Sequence, residues 1–167
     1  MTSPEQRERA RRRGFEAPRA ALLPVHASPV DLVRRVPAEA GQVAGIRHAV
    51  LSFAEARGAS QAAQADIALA VSEACTNVVM HAYVFAVAPG SLIVEASHRN
   101  GELVVAVRDE GQGMLSRPDS PGAGLGLSII GRLAQRLEIG ENGPSGTEVR
   151  MTFALAAETC GASRAAP

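Results

Sequence analysis

Glu73, Asn77 and His81 stand four residues apart within the otherwise apolar stretch 66–83, DIALAVSEACTNVVMHAY. A helix repeats about every 3.6 residues, so positions i, i+4 and i+8 drift only slightly around the cylinder. A carboxylate, an amide and an imidazole then share one stripe, and side chains at neighbouring steps can touch one object. The remainder of the stretch is largely Ala, Val, Leu, Ile and Met, so polar groups on a common line need a partner or a solvated edge. The stripe reads as a metal and phosphate face; as an isolated pair, Glu73 and Asn77 would read as solvated helix residues.

Two glycine clusters follow. Asp109-Glu110-Gly111-Gln112-Gly113 comes directly after an apolar run, and Gly122-Ala123-Gly124-Leu125-Gly126-Leu127 opens an apolar segment that reads as a helix to about Gln135. Taken singly, the first is a turn and the second a flexible loop running into a helix. A dinucleotide fingerprint fits the second cluster poorly, because its spacing is Gly-x-Gly-x-Gly and a loop precedes it.

The composition narrows the chemistry. All 17 basic residues are Arg, which removes the phosphate-binding Lys of a P-loop, lysine Schiff-base catalysis and the strand lysine of eukaryotic-type kinases. Phosphate charge must be met by a metal ion, by backbone N–H groups at a helix start, or by Arg. A formal net charge of zero and only five aromatics, one Tyr and four Phe, speak against a nucleic-acid binder. Cys75 and Cys160 are far apart, which points away from a disulfide framework and toward a reducing, cytoplasmic setting. Cys75 reads as a small core residue, and His26, His48 and His98 form no zinc-ligand spacing with the cysteines. No apolar run reaches the length of a membrane span.

These residues need elements to hold them. The Arg-rich segment 1–27 reads as a flexible tail, with a basic arm as the alternative, and 158–167 reads as a second tail. Between them, 28–157 reads as one domain. Val30–Val36 is predicted as a strand closed by Pro37, Ala38–Arg57 as a helix, and Gly58-Ala59-Ser60 as the break before the striped helix. Ser91–His98 and Glu102–Arg108 flank Arg99-Asn100-Gly101, a strong hairpin signal. Arg136–Gly140 and Gly146–Leu155 are predicted as the last two strands. The order β-α-α-β-β-α-β-β implies an α+β fold, a two-layer α/β sandwich with a mixed, mostly antiparallel sheet.

The stripe, the Asp-x-Gly-x-Gly turn and the Gly-rich helix start together resemble the ATP-binding family that includes gyrase B, Hsp90, sensor histidine kinases and MutL. Within it the chain is most similar to the bacterial anti-sigma serine/threonine kinases of the partner-switching type, over roughly residues 30–155. That resemblance implies a histidine-kinase-like ATPase fold. It implies that Asn77 coordinates Mg²⁺, that Glu73 is the general base, and that His81, in the His-Ala-Tyr ending, supports the phosphates. Asp109 would accept a hydrogen bond from the adenine amino group, with Gly111 and Gly113 allowing the close turn and Thr147 joining Asp109 through a water. Gly122, Gly124, Gly126 and Leu127 would belong to the lid and helix start over the triphosphate, with Arg117 as a mobile lid contact or an ordinary exposed Arg.

The implied partners are a sigma factor and an anti-anti-sigma protein, with Arg47 on the first helix as an interface anchor or a plain surface Arg. The resemblance also implies a homodimer, and no direct contact with nucleic acid or membrane is expected. A short lid of eight residues, 114–121, and the absence of Lys keep open a second reading, a nucleotide-binding interaction module with little or no kinase activity. The catalytic domain of a sensor histidine kinase shares the pocket but lacks support, since no dimerising helical hairpin with a phosphoacceptor His precedes it.

Overall fold

The computed structural model describes residues 30–112 and 123–156 of the 167. The two expected tails, and Gly113, Arg117 and Gly122, lie outside the described residues.

Among the described residues five strands form one sheet: β1 (Leu32–Pro37), β2 (Ser91–Arg99), β3 (Glu102–Asp109), β4 (Arg136–Asn142) and β5 (Gly146–Ala154), in the order β1-β2-β3-β5-β4. The α+β sandwich is as expected, but the sheet is not mixed: all four pairings are antiparallel. The cause lies in the connection after β3. Strands β3 and β4 run in the same direction, yet β5 is inserted between them and is antiparallel to both, so no parallel pair forms among the described residues. The β2–β3 hairpin turns on Asn100 and Gly101, whose φ values of 52° and 83° suit a two-residue turn with both central residues left-handed.

Among the described residues three α-helices cover one face: α1 (Ala40–Glu55), α2 (Gln61–Asn77) and α3 (Ala123–Leu133). Helix α2 lies between the other two and touches both. Its start is set by Ser60, whose hydroxyl accepts from the Ala63 amide at 3.2 Å, while the Ser60 amide donates to the Leu155 carbonyl at 2.9 Å. The apolar side of α2, Ile67, Ala70, Val71, Ala74 and Cys75, is buried against Leu92, Val94, Leu103, Val105, Val107, Val149 and Met151 of the sheet. Small residues on α2 let the helix sit close to that layer. Cys75 is fully buried, as its small-core reading anticipates, and burial pushes its thiol up to about 12, so it is an unreactive thiol at neutral pH.

The striped helix departs from expectation at its end. The α-helix stops at Asn77, and Val78–Ala82 form a π turn. Bonding from i to i+5 winds fewer degrees per residue, so the step from Asn77 to His81 does not continue the α-helical line.

The face of the sheet that none of the described helices covers is charged. Arg108 of β3 pairs with Glu95 of β2 at 2.6 Å and with Glu148 of β5, and Glu148 also pairs with Arg150 at 2.7 Å. Ile93 and Ala106 on this face are buried although outside the core cluster, since the long stems of Arg108 and Arg150 stand opposite them in the register.

Candidate functional site

Two ends of a site are built by different elements. One is made by α2 and α3. Glu73 and Asn77 are half-buried on α2, one helical turn apart, and Gly126 in α3 packs directly onto them. A Cβ on Gly126 would stand 3.1 Å from Glu73 Oε2 and 3.3 Å from Asn77 Oδ1 and Nδ2. The carboxylate and the amide therefore converge on one point, at the N-terminal part of α3. Both offer hard oxygen donors, the type that Mg²⁺ takes. No group of three or more His, Cys, Asp or Glu is gathered for a metal among the described residues. Gly124 falls in the same first part of α3, and Leu127 is partly buried against the core.

The other end is the exit of β3. Asp109 is 3% exposed, and its Oδ1 accepts the Gly111 amide at 2.8 Å, closing a tight Asx turn. A carboxylate has about four lone-pair sites, so this bond leaves capacity for a ligand donor. The backbone of the turn is gripped from two sides. Gly111 passes so close to the π turn that a Cβ would be 2.2 Å from the Ala82 carbonyl oxygen, and the Gln112 amide donates to that same oxygen at 3.1 Å. Across the sheet, Gly146 abuts the Asp109 carbonyl, which leaves no room for a side chain, and Asn142 Nδ2 donates to that carbonyl at 2.7 Å. One step beyond the last ladder pair, Arg108 with Glu148, the register brings Asp109 level with Thr147, which is buried.

The structure thus brings Glu73, Asn77 and Gly126 together, and Asp109, Gly111 and Thr147 together. His81 is exposed on the π turn between the two groups. Arg47 is exposed on α1 and donates to Ser72 Oγ at 3.3 Å, so it is tethered to the residue beside Glu73. Sequence reasoning did not find Asn142, or Tyr83, whose hydroxyl accepts the Glu110 amide at 2.9 Å, or the ion pair of Arg35 with Glu110 at 3.1 Å that ties β1 to the Asp109 turn. Only the His-Ala-Tyr ending pointed toward Tyr83; the others carry no local signal.

A helical layer lies on an antiparallel sheet, with the π turn between the two ends of the site, and residues 36–153 match the histidine kinase-like ATPase domain, so the chain belongs to that family. Among curated proteins it is similar to the anti-sigma F factors of Caldanaerobacter subterraneus, 32% identical over 99 residues covering 53% of this chain and 68% of the relative, and of Clostridium botulinum, 30% identical over 97 residues covering 52% and 67%. Two solved structures share the fold. One, of the RsbU and RsbW domains of a Mycobacterium tuberculosis protein, has a TM-score of 0.57 and 24% identity over 74% of this chain and 32% of that one. The other, the SiaB–SiaC complex of Pseudomonas aeruginosa, has a TM-score of 0.57 and 16% identity over 74% of this chain and 89% of that one. Among the described residues no helix is long and apolar enough to cross a membrane.

Proposed function

We propose that this chain is an ATP-dependent serine/threonine kinase acting as an anti-sigma factor in the cytoplasm. The observation that carries the reading is the convergence of Glu73 and Asn77 beneath Gly126 at the start of α3, with buried Asp109 at the exit of β3. Asp109 would take the adenine amino group, a contact that guanine cannot offer. Asn77 would hold Mg²⁺, which when bound draws off phosphate charge. The amides at the start of α3 would face the phosphates, a contribution that matters more in a chain without Lys. Gly113, Gly122 and Gly124 would serve the turn and the lid, with Leu127 behind them. Thr147, His81 and Arg117 would add contacts to the base and the phosphates.

In the transfer, the hydroxyl oxygen of a Ser or Thr forms a bond to the γ-phosphorus as the bond to the β,γ-bridging oxygen breaks and ADP leaves. Glu73 receives the hydroxyl proton. The protein substrate is an anti-anti-sigma protein and the sequestered partner a sigma factor, in keeping with the anti-sigma F factors that this chain resembles. Arg47 would be an anchor of that interface, and the working form a homodimer.

The chain is to be mixed with labelled ATP, Mg²⁺ and candidate anti-anti-sigma proteins of its source organism. Phosphate transfer is expected, and Glu73→Ala should slow it on the order of 100-fold or more while ATP binding persists. ATP binding without transfer to any partner would replace this reading by a module that regulates through occupancy alone, the alternative favoured by the missing Lys.

A further inference from the structure

Tyr83 closes the π turn, and its hydroxyl joins two distant segments. It donates to the Ser91 carbonyl at 2.7 Å, at the start of β2, and accepts the Glu110 amide at 2.9 Å, in the turn after β3. The ring fills the space above Gly90, where a Cβ would lie 1.9 Å from Cε1. The carbonyl of the preceding residue, Ala82, accepts the Gln112 amide. Residues 82 and 83 therefore fix the backbone on both sides of Gly111, the residue whose amide orients the Asp109 carboxylate.

We propose that Tyr83 is a positioning residue for the base end of the site, its hydroxyl clasping the Asp109 turn so that the carboxylate is held ready for a purine amino group. The inference rests on the ATP reading above and assigns a residue to its base selectivity. Because Tyr83 continues the same chain segment as Asn77, the clasp also links the metal end to the base end. A phenol suits this role because it donates once and accepts at its lone pairs, so a single oxygen serves a carbonyl and an amide together. Phe keeps the ring over Gly90 and removes both bonds.

The test uses the full chain and Tyr83→Phe, titrated by calorimetry with the magnesium complexes of ATP and of inosine triphosphate, which presents a carbonyl in place of the amino group. ATP affinity is expected to fall roughly tenfold and inosine triphosphate affinity to hold within about twofold, so the preference for ATP shrinks. Amide hydrogen exchange at Glu110, Gly111 and Gln112 should quicken in the nucleotide-free variant. An equal loss for both nucleotides, or unchanged exchange, overturns the proposal. A wild-type chain that does not prefer ATP overturns the ATP reading instead, while the exchange rates still decide whether the clasp holds the turn. One readout needs no variant: Tyr83 is the only tyrosine and the chain has no tryptophan, so its ultraviolet emission should change on saturation with ATP and not with inosine triphosphate. An identical response to both counts against the clasp.

Discussion

Gly126 of α3 and Glu73 of α2 meet so closely that a single methyl group would press on the carboxylate, 3.1 Å from its Oε2. Gly126→Ala should therefore displace Glu73 and Asn77 by a few tenths of an ångström. Ala is the better helix former by about 1 kcal/mol, which offsets the crowding, so stability should change by less than about 1 kcal/mol. Affinity for ATP with Mg²⁺ should fall roughly tenfold. Calorimetric titration set beside urea denaturation separates the two effects.

Gly146 and Gly140 provide a contrast within one hairpin. A Cβ at Gly146 would stand 2.1 Å from the Asp109 carbonyl oxygen and 2.7 Å from that of Asn142, whereas one at Gly140 meets nothing within 4 Å. Both obstructing atoms belong to the backbone, so relief requires the strands to part. Gly146→Ala should cost about 3 kcal/mol or more, and Gly140→Ala less than about 0.5 kcal/mol. Urea midpoints of the two variants check this.

The charged network on the open sheet face predicts an acid dependence. Burial raises the Glu148 pKa, but hydrogen bonds from Arg108 and Arg150, reinforced by their charges, outweigh burial and bring it below the ordinary carboxylate range. A carboxylate lowered in the folded state contributes stability above its unfolded value, near pH ~4.3, and loses it as pH falls through the lower folded value. Glu148→Gln should remove about 1 kcal/mol at neutral pH and flatten the acid limb of stability against pH. Thermal melts of both proteins from neutral to acid pH measure it.

Tyr83 sets the opposite limit. Burial chiefly, and then the charges of Asp109 and Glu110, raise its phenol above the ordinary value, although the Glu110 amide pulls the other way. The folded protein holds this proton more tightly than the unfolded chain, so the stability is fully present below about pH 10 and is lost as pH rises through the folded value. The tyrosinate absorbance should titrate above about pH 10 in the native protein and return to about 10 in denaturant. Asp109→Asn should lower the native midpoint.

What was legible in the sequence followed from local chemistry. Asn100-Gly101 announced its hairpin because both residues tolerate a left-handed backbone. Glu73 and Asn77 stand out through their four-residue spacing, and Asp109 with Gly111 through the Asp-x-Gly-x-Gly pattern after an apolar run; that Gly111 lies against the Ala82 carbonyl is visible only in the fold. The π turn left no periodic trace. Its five residues read as more α-helix, and His81 was placed on the stripe accordingly. The all-antiparallel sheet was hidden for a different reason: strand order is a property of pairing, and nothing local tells β5 to enter between β3 and β4. Tyr83 bonds to backbone 8 and 27 residues away, and backbone groups have no sequence signature. The Glu and Arg of the open face find their partners only once the register is known.

The central claim is a pocket for ATP that runs from Asp109 to Asn77, and it is tested most directly by calorimetric titration of the full chain with ATP, with and without Mg²⁺. Saturable binding of one ATP per chain is expected, strengthened by Mg²⁺, with the Mg²⁺ effect lost in Asn77→Ala and ATP binding lost in Asp109→Ala. Binding that is indifferent to both substitutions, or no binding by the wild-type protein, would contradict the account.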